Sequence, residues 1–257
     1  MTTTSDPHAT VRKMFGAAAA DYAHTAVHIS GPDLDALLEA GEFGVTDQVI
    51  DLGCGVGHTA MAIAPHVAQV TGIDVTEEML AEGRAQLQRR KLTNVTLQEG
   101  DACAVAFPDA SFDVATCRFA AHHYPDQVTA TREAARILKP GGKYLLVDSV
   151  APEDPALDTF ENMIEWLRDE SHVRNYRASE WCRMFEQAGL KAAVRYRAGL
   201  PLDGADWVKR MRTPATRVAM IRELFETAST KQKAAFEIVD KPWGFSLPVA
   251  MIVGVKG

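Results

Sequence analysis

Apolar positions along this chain follow two rhythms. Between Gln48 and Asp148, short runs such as Val49-Ile50, Val95-Thr96-Leu97 and Tyr144-Leu145-Leu146-Val147 alternate with longer stretches whose apolar residues recur every third or fourth position. The runs predict strands at 48–52, 69–74, 95–97, 111–117 and 143–148. The stretches between them predict helices at 59–64, 76–90 and 126–138, the last stopped by Lys139-Pro140-Gly141-Gly142. Thr76 stands where a cap is needed, and Met79 and Leu80 begin an apolar face.

Strands that are apolar throughout and separated by helices indicate a parallel sheet covered on both faces. Two helices precede this region, one over 11–20 and one opened by Gly31-Pro32-Asp33 and closed near Gly41. After Asp148 the alternation breaks. Residues 151–177 and 200–235 are helix-prone, 178–188 reads as a helix, and 192–197 and 250–255 add two strands. The expected fold is therefore α/β and doubly wound, with a mostly parallel seven-stranded sheet and a helical lid inserted after the fifth strand. Residues 1–40 would form a helical cap, 41–150 the binding core, and 151–257 the rest of the sheet with the lid, all within one structural domain.

Composition narrows the function. The chain of 257 residues has a formal net charge of −7, and its one basic run, Gln88-Arg89-Arg90-Lys91, suits a helix end better than a nucleic-acid face. The four cysteines form no C-x-x-C pair, so neither a metal site nor a disulfide framework is expected. No stretch reaches the ~20 apolar residues of a membrane span, and the first residues lack a signal-peptide pattern. A cytoplasmic enzyme is the expectation.

The densest chemistry lies at Asp51-Leu52-Gly53-Cys54-Gly55-Val56-Gly57. A strand running into G-x-G-x-G brings bare backbone up to a ligand at the carboxyl end of the sheet. A dinucleotide fingerprint would place its third glycine at position 58, which is His58. Asp51 would repel a pyrophosphate but suits a ligand carrying an α-ammonium group. Asp74 ends the second strand near the ~20-residue spacing at which an acid reaches ribose hydroxyls, although it could instead cap the next helix. Asp101 follows the third strand, placed for an adenine amino group or for a simple turn.

At these residues the stretch Val49–Val150 resembles class I S-adenosylmethionine-dependent methyltransferases, in the branch that includes ubiquinone/menaquinone-biosynthesis C-methyltransferases. The similar pieces are V-I-D-L-G-C-G-V-G-H, T-G-I-D-V-T-E-E-M-L, E-G-D-A, F-P-D-A-S-F-D-V, H-H-Y-P-D and R-I-L-K-P-G-G-K. The resemblance implies S-adenosylmethionine as cofactor and S-adenosylhomocysteine as product. It also implies that Asp51, Gly53 and Gly55 line the methionine moiety, with Gly57 completing the turn. Asp74 would hold the ribose, Val75 would pack on the adenine, and Asp101 and Ala102 would meet its edge. Arg118 and Phe119 would lie beside the sulfonium, and Phe15 and Tyr22 belong to a segment that closes over the cofactor in similar proteins.

Methyl transfer needs alignment and, for a hydroxyl, nitrogen or ring-carbon acceptor, often a base. His122 and Asp148 share the spacing of a His–Asp pair in sugar-hydroxyl methyltransferases that this stretch resembles, whereas His123 does not. In other relatives the same histidine only packs or positions loops, so both readings stand. Trp166, His172, Arg174, Tyr176 and Trp207 would shape the lid, either around an aromatic or polyketide-like acceptor or as packing alone. A homodimer is compatible with the sequence but not required by it. A quinone-type C-methyltransferase, a nicotinamide oxidoreductase and an inactive methyltransferase-fold binding protein are the competing readings.

Overall fold

The computed structural model describes residues 6–22 and 29–257, the side chains of 20–22 excepted. Two helices lead in, α1 (Ala9–Tyr22) and α2 (Pro32–Gly41). Pro32 occupies the first turn of α2 with Asp33 and Asp35, and Glu42 turns left-handed to end it. The core then runs β1 (Gln48–Leu52), α3 (His58–Ile63), β2 (Gln69–Asp74), α4 (Glu77–Arg90), β3 (Val95–Glu99) and β4 (Phe112–Arg118). It continues through α5 (Gln127–Ile137), β5 (Leu138–Ser149), α6 (Pro155–Arg168), α7 (Ala178–Gln187) and β6 (Leu190–Asp203). Helices α8 (Gly204–Arg210), α9 (Ala215–Glu226) and α10 (Thr230–Ala235) precede β7 (Gly244–Lys256).

The sheet has seven strands in the order β3-β2-β1-β4-β5-β7-β6. The five from β3 to β5 are parallel, and β7 runs antiparallel between β5 and β6. Side chains alternate between two cores. Ile50, Leu52, Tyr144 and Leu146 pack with Trp181 and Phe185 of α7, while Val49, Leu145 and Val147 pack with Leu37 of α2 and Leu80 of α4. Because both faces are buried, the strands read as unbroken apolar runs. The basic run at 88–91 does end a helix: Arg89 and Arg90 lie in the last turn of α4 and Lys91 closes it left-handed.

Three strands run beyond their expected bounds. β5 begins at Leu138, five residues early, because Leu138 already pairs with Phe112 across the Pro-Gly-Gly stretch. β6 and β7 pair from Leu190–Lys256 to Asp203–Gly244, far beyond the strands expected at 192–197 and 250–255. Most of β6 is half-exposed, with Pro201 near its end, so its pattern lacks the apolar run that marks a central strand. The projecting part carries a third core, in which Leu202, Phe245 and Leu247 meet Phe160, Ile164, Trp207 and Phe225 of the lid helices. No described helix is long and apolar enough to cross a membrane.

Strand order reverses between β1 and β4, and in doubly wound sheets the crevice at such a point, beyond the carboxyl ends of the strands, is where ligands bind.

Candidate active site

A cavity of about 880 Å³ opens at that crevice. Its floor is the turn after β1, where Gly53, Gly55 and Gly57 all have positive φ (67°, 54° and 81°). This left-handed path folds the chain back from β1 into α3, and it is the conformation glycine alone adopts without strain. A Cβ on Gly53 would lie 2.6 Å from the Ala120 Cβ and 2.9 Å from the Tyr124 hydroxyl. That hydroxyl is not free to retreat, since it donates to the Leu52 carbonyl at 2.9 Å. Gly53→Ala is therefore expected to destabilise the fold by about 1–3 kcal/mol, read as a drop in melting temperature, and to narrow the cavity.

Asp74 closes one side. Its carboxylate accepts from the Gly55 N–H and the Thr76 N–H, each at 2.8 Å, so it pins the glycine turn to the start of α4. Asp74 thus anchors the helix start and borders the cavity with the same side chain. Burial raises its pKa despite these bonds. Val75 and Ala102 add apolar wall. Asp101 caps its own turn through the Cys103 N–H at 2.8 Å and meets His8 Nε2 at 2.9 Å, which ties α1 across the cavity mouth.

At the far side, Arg118 is fixed by Asp33 (Nε to Oδ2, 2.5 Å) and lies 5.1 Å from the Phe119 ring. Phe119 holds a positive φ of 54°, a strained conformation for a bulky residue, with its N–H bound to the Val147 carbonyl at 2.9 Å. Its ring borders a second cavity of about 560 Å³, and Phe15 and His123 border both.

Asp51 and Gly57 do not line the first cavity. Asp51 is buried behind the turn at 1% exposure; Oδ1 accepts from Thr116 Oγ1 at 2.8 Å, and Oδ2 has no hydrogen-bond partner. Burial pushes its carboxyl up to about 7. The Tyr22 side chain lies outside the described residues. His8, Phe15, Thr76, Met79, His123 and Tyr124 line the cavity without having been singled out as cofactor contacts, Phe15 apart.

His122 opens into the second cavity. Its Nδ1 donates to Asp148 Oδ1 at 2.6 Å, its backbone N–H to Oδ2 at 3.0 Å, and the Ser149 N–H to Oδ1 at 2.8 Å. Burial alone would depress this imidazole, but the charge of Asp148 and its hydrogen bond outweigh burial and raise the pKa. With Nδ1–H committed to the carboxylate, Nε2 is the atom left to take a proton. His123 is different: burial and the neighbouring His122 lower it, and its Nδ1–H donates to the Ser171 carbonyl at 3.1 Å. His172 is depressed to about 2 by burial and both histidines, with Nε2 bonded to Asn162 Oδ1 at 3.1 Å.

Of the five lid residues expected, only Trp207 borders either of these two cavities. Trp166 is half-exposed and stacks on Arg217, Arg174 pairs with Asp158 at 3.0 Å, and Tyr176 packs edge-on to Trp181. Among the described residues no group of three or more His, Cys, Asp or Glu could hold a metal ion.

A doubly wound sheet in this order, with a glycine turn at the switch point and acids ending β2 and following β3, defines a Rossmann-like methyltransferase fold. Comparison with known proteins agrees. Residues 50–146 match the family model described as a methyltransferase domain. The chain is 40% identical over 239 residues to YcgJ of Bacillus subtilis, described as an uncharacterized methyltransferase, covering 91% of this chain and 94% of that protein. The YcgJ crystal structure superposes with a TM-score of 0.85, covering 87% of this chain and 97% of the other. Demethylmenaquinone methyltransferase of Listeria monocytogenes is 37% identical over 169 residues, 58% of this chain and 71% of that protein. A phosphoethanolamine N-methyltransferase of Haemonchus contortus, solved with phosphomonomethylethanolamine and S-adenosylhomocysteine, shares the fold at 20% identity with a TM-score of 0.64, covering 97% of this chain and 59% of that one. The chain belongs to the class I S-adenosylmethionine-dependent methyltransferase family, and it is a methyltransferase.

Proposed function

We propose that the protein transfers a methyl group from S-adenosylmethionine to a small-molecule acceptor seated in the second cavity. The observation that carries this is the pairing of two adjoining cavities with different chemistry. The first is built for a nucleotide bearing an ammonium group. Gly53 and Gly55 admit close approach of the methionine part, Asp74 offers carboxylate lone pairs to ribose hydroxyls, and Val75, Asp101 and Ala102 suit an adenine. The unpartnered Oδ2 of Asp51 fits as well, since an ammonium group or its hydration water would relieve that deficit. Phe119, which borders both cavities, stands toward the acceptor side with Arg118 beside it, and Gly57 supports the turn.

When bound, S-adenosylmethionine supplies a methyl already activated by its sulfonium. The protein's own contribution is then position, dryness and proton transfer. Helix α1, held by His8 on Asp101 and by Phe15 against His123 with ring centroids 4.9 Å apart, caps the junction of the cavities. This supports reading 1–40 as a cap, 41–150 as the binding core and 151–257 as sheet completion and lid. His122 takes the proton from the acceptor's hydroxyl or amine at Nε2 as its nucleophile reacts, and Asp148 fixes the tautomer and balances the imidazolium. The apolar wall of the second cavity, with Trp207 and Phe119, suits an aromatic or polyketide-like acceptor. The demethylmenaquinone relative keeps a quinone-type ring-carbon acceptor as the second reading.

The direct test is calorimetric titration with S-adenosylmethionine and with NADH, alongside Asp74→Ala. Micromolar binding of the sulfonium nucleotide, weakened at least about tenfold in the variant and absent for NADH, is expected. No binding of S-adenosylmethionine would overturn the proposal.

A further inference from the structure

The second cavity has a chemical polarity of its own. Leu200, Leu202, Leu247, Trp207 and Phe119 form an apolar wall, and its polar end comes from α6, where Glu165 and Arg168 share one face, three positions apart.

Arg168 is buried to 9% exposure. Its Nε donates to the Trp207 carbonyl at 3.2 Å, and its guanidinium carbon lies 5.2 Å from the centre of the Trp207 ring. Among the described residues no carboxylate is within ion-pair distance of it. The other buried arginine among the described residues, Arg118, is matched to Asp33, and the half-buried Arg136 and Arg177 are matched to Glu133, Asp109 and Asp158. A buried guanidinium is costly unless its remaining donors find an anion. The donors not used by Trp207 belong to a group that lines the cavity, so a cavity ligand is the natural partner.

Glu165, buried to 4% exposure, borders the same space with Oε1 lacking any hydrogen-bond partner. Burial raises its pKa, which favours the neutral acid, a donor. Arg210 adds a second guanidinium to the lining from the end of α8. Asp148 is engaged by His122, and Asp169 accepts from Ser171 through Oδ1.

Resting on the methyltransferase reading above, we propose that the second cavity selects an acceptor that carries a carboxylate. The terminal nitrogens of Arg168 hold that carboxylate, and the acceptor's body lies on the apolar wall with its nucleophile toward His122. A planar, bidentate donor is what carboxylate recognition uses, and a cationic acceptor would meet the Arg168 guanidinium instead.

The test uses the full chain saturated with S-adenosylhomocysteine and matched acid and amide pairs as probes: para-hydroxybenzoate against para-hydroxybenzamide, and para-hydroxyphenylacetate against its amide. Calorimetry is expected to show at least one acid binding about tenfold or more tightly than its amide. Arg168→Gln should erase that preference, and Arg168→Lys should keep part of it. Affinity for S-adenosylhomocysteine, measured first, separates the two ideas, because its absence would defeat the cofactor reading itself. With the nucleotide bound, equal affinity for acid and amide, no binding of either acid, or a preference that survives Arg168→Gln overturns the proposal. The wild-type comparison stands even if a variant fails to fold.

Discussion

Replacing His122 by alanine is expected to lower turnover by about 10²–10⁴-fold while leaving S-adenosylmethionine affinity within a factor of a few. The separation follows from position, because His122 borders the second cavity and not the first. Asp148→Asn should produce a loss of the same kind, with a distinct signature in pH. The protonated imidazole cannot accept a proton, so kcat/KM should rise with pH through the His122 midpoint. Burial lowers that midpoint, and the charge and hydrogen bond of Asp148 carry it above 6.5. With asparagine in place that charge is gone and only the weaker pull of Glu165 and Asp169 opposes burial, so the midpoint should fall as the plateau falls. The measurement is the initial rate of S-adenosylhomocysteine formation from pH 5 to 9 with an acceptor found by screening. If both variants turn over at near-normal rates, His122 and Asp148 only brace the loop after β4, and the base assignment is lost.

The sheet was legible because burial on both faces writes itself into composition. Val49 and Ile50 are both fully buried, in different cores, and no polar residue interrupts them. The lining of the first cavity was nearly as legible, since the glycine turn, Asp74 and Asp101 all stand at or just past a strand end. His122 and Asp148 could be matched as well, because neighbouring parallel strands β4 and β5 deliver them to the same level of the sheet.

What stayed hidden depends on contacts between distant segments. His8 carries no local signal, and its partner Asp101 lies 93 positions away. The second cavity joins α6, β6, α8 and β7 to the loop after β4, and no short motif encodes such a junction. Arg168 sits in the last turn of α6, where a basic residue complements the helix dipole, so its type at that position pointed to nothing unusual. Trp166 and Trp207 look alike in sequence, yet one stacks on Arg217 at the surface and the other borders the cavity. Asp51 was expected to line the ligand, and its place behind the turn was not readable, since that depends on pairing with Thr116 on the neighbouring strand.

That buried position gives Asp51→Asn two opposite expected effects. The ligand-free variant should be more stable than the native chain at pH 8, by on the order of a few kcal/mol. The folded state holds the Asp51 proton to about pH 7, against 3.8 for the free side chain, mainly because burial penalises the charge. Between those values the folded form binds the proton more tightly than the unfolded one. This group therefore erodes stability as pH rises from about 4 to about 7, and the amide removes that slope. Affinity for S-adenosylmethionine should fall in the same variant by about 10–100-fold, because the amide offers no charge to an ammonium group. A third reading ties the two together. At pH 6, where the carboxyl is largely protonated, cofactor binding to the native chain should release a proton, seen as a dependence of calorimetric enthalpy on the buffer's ionisation enthalpy. Asp51→Asn should abolish that dependence. Gained stability with unchanged affinity and unchanged proton release would make Asp51 a bystander behind the turn. Both effects together would mean that the fold tolerates a costly acid there because the ligand needs its charge.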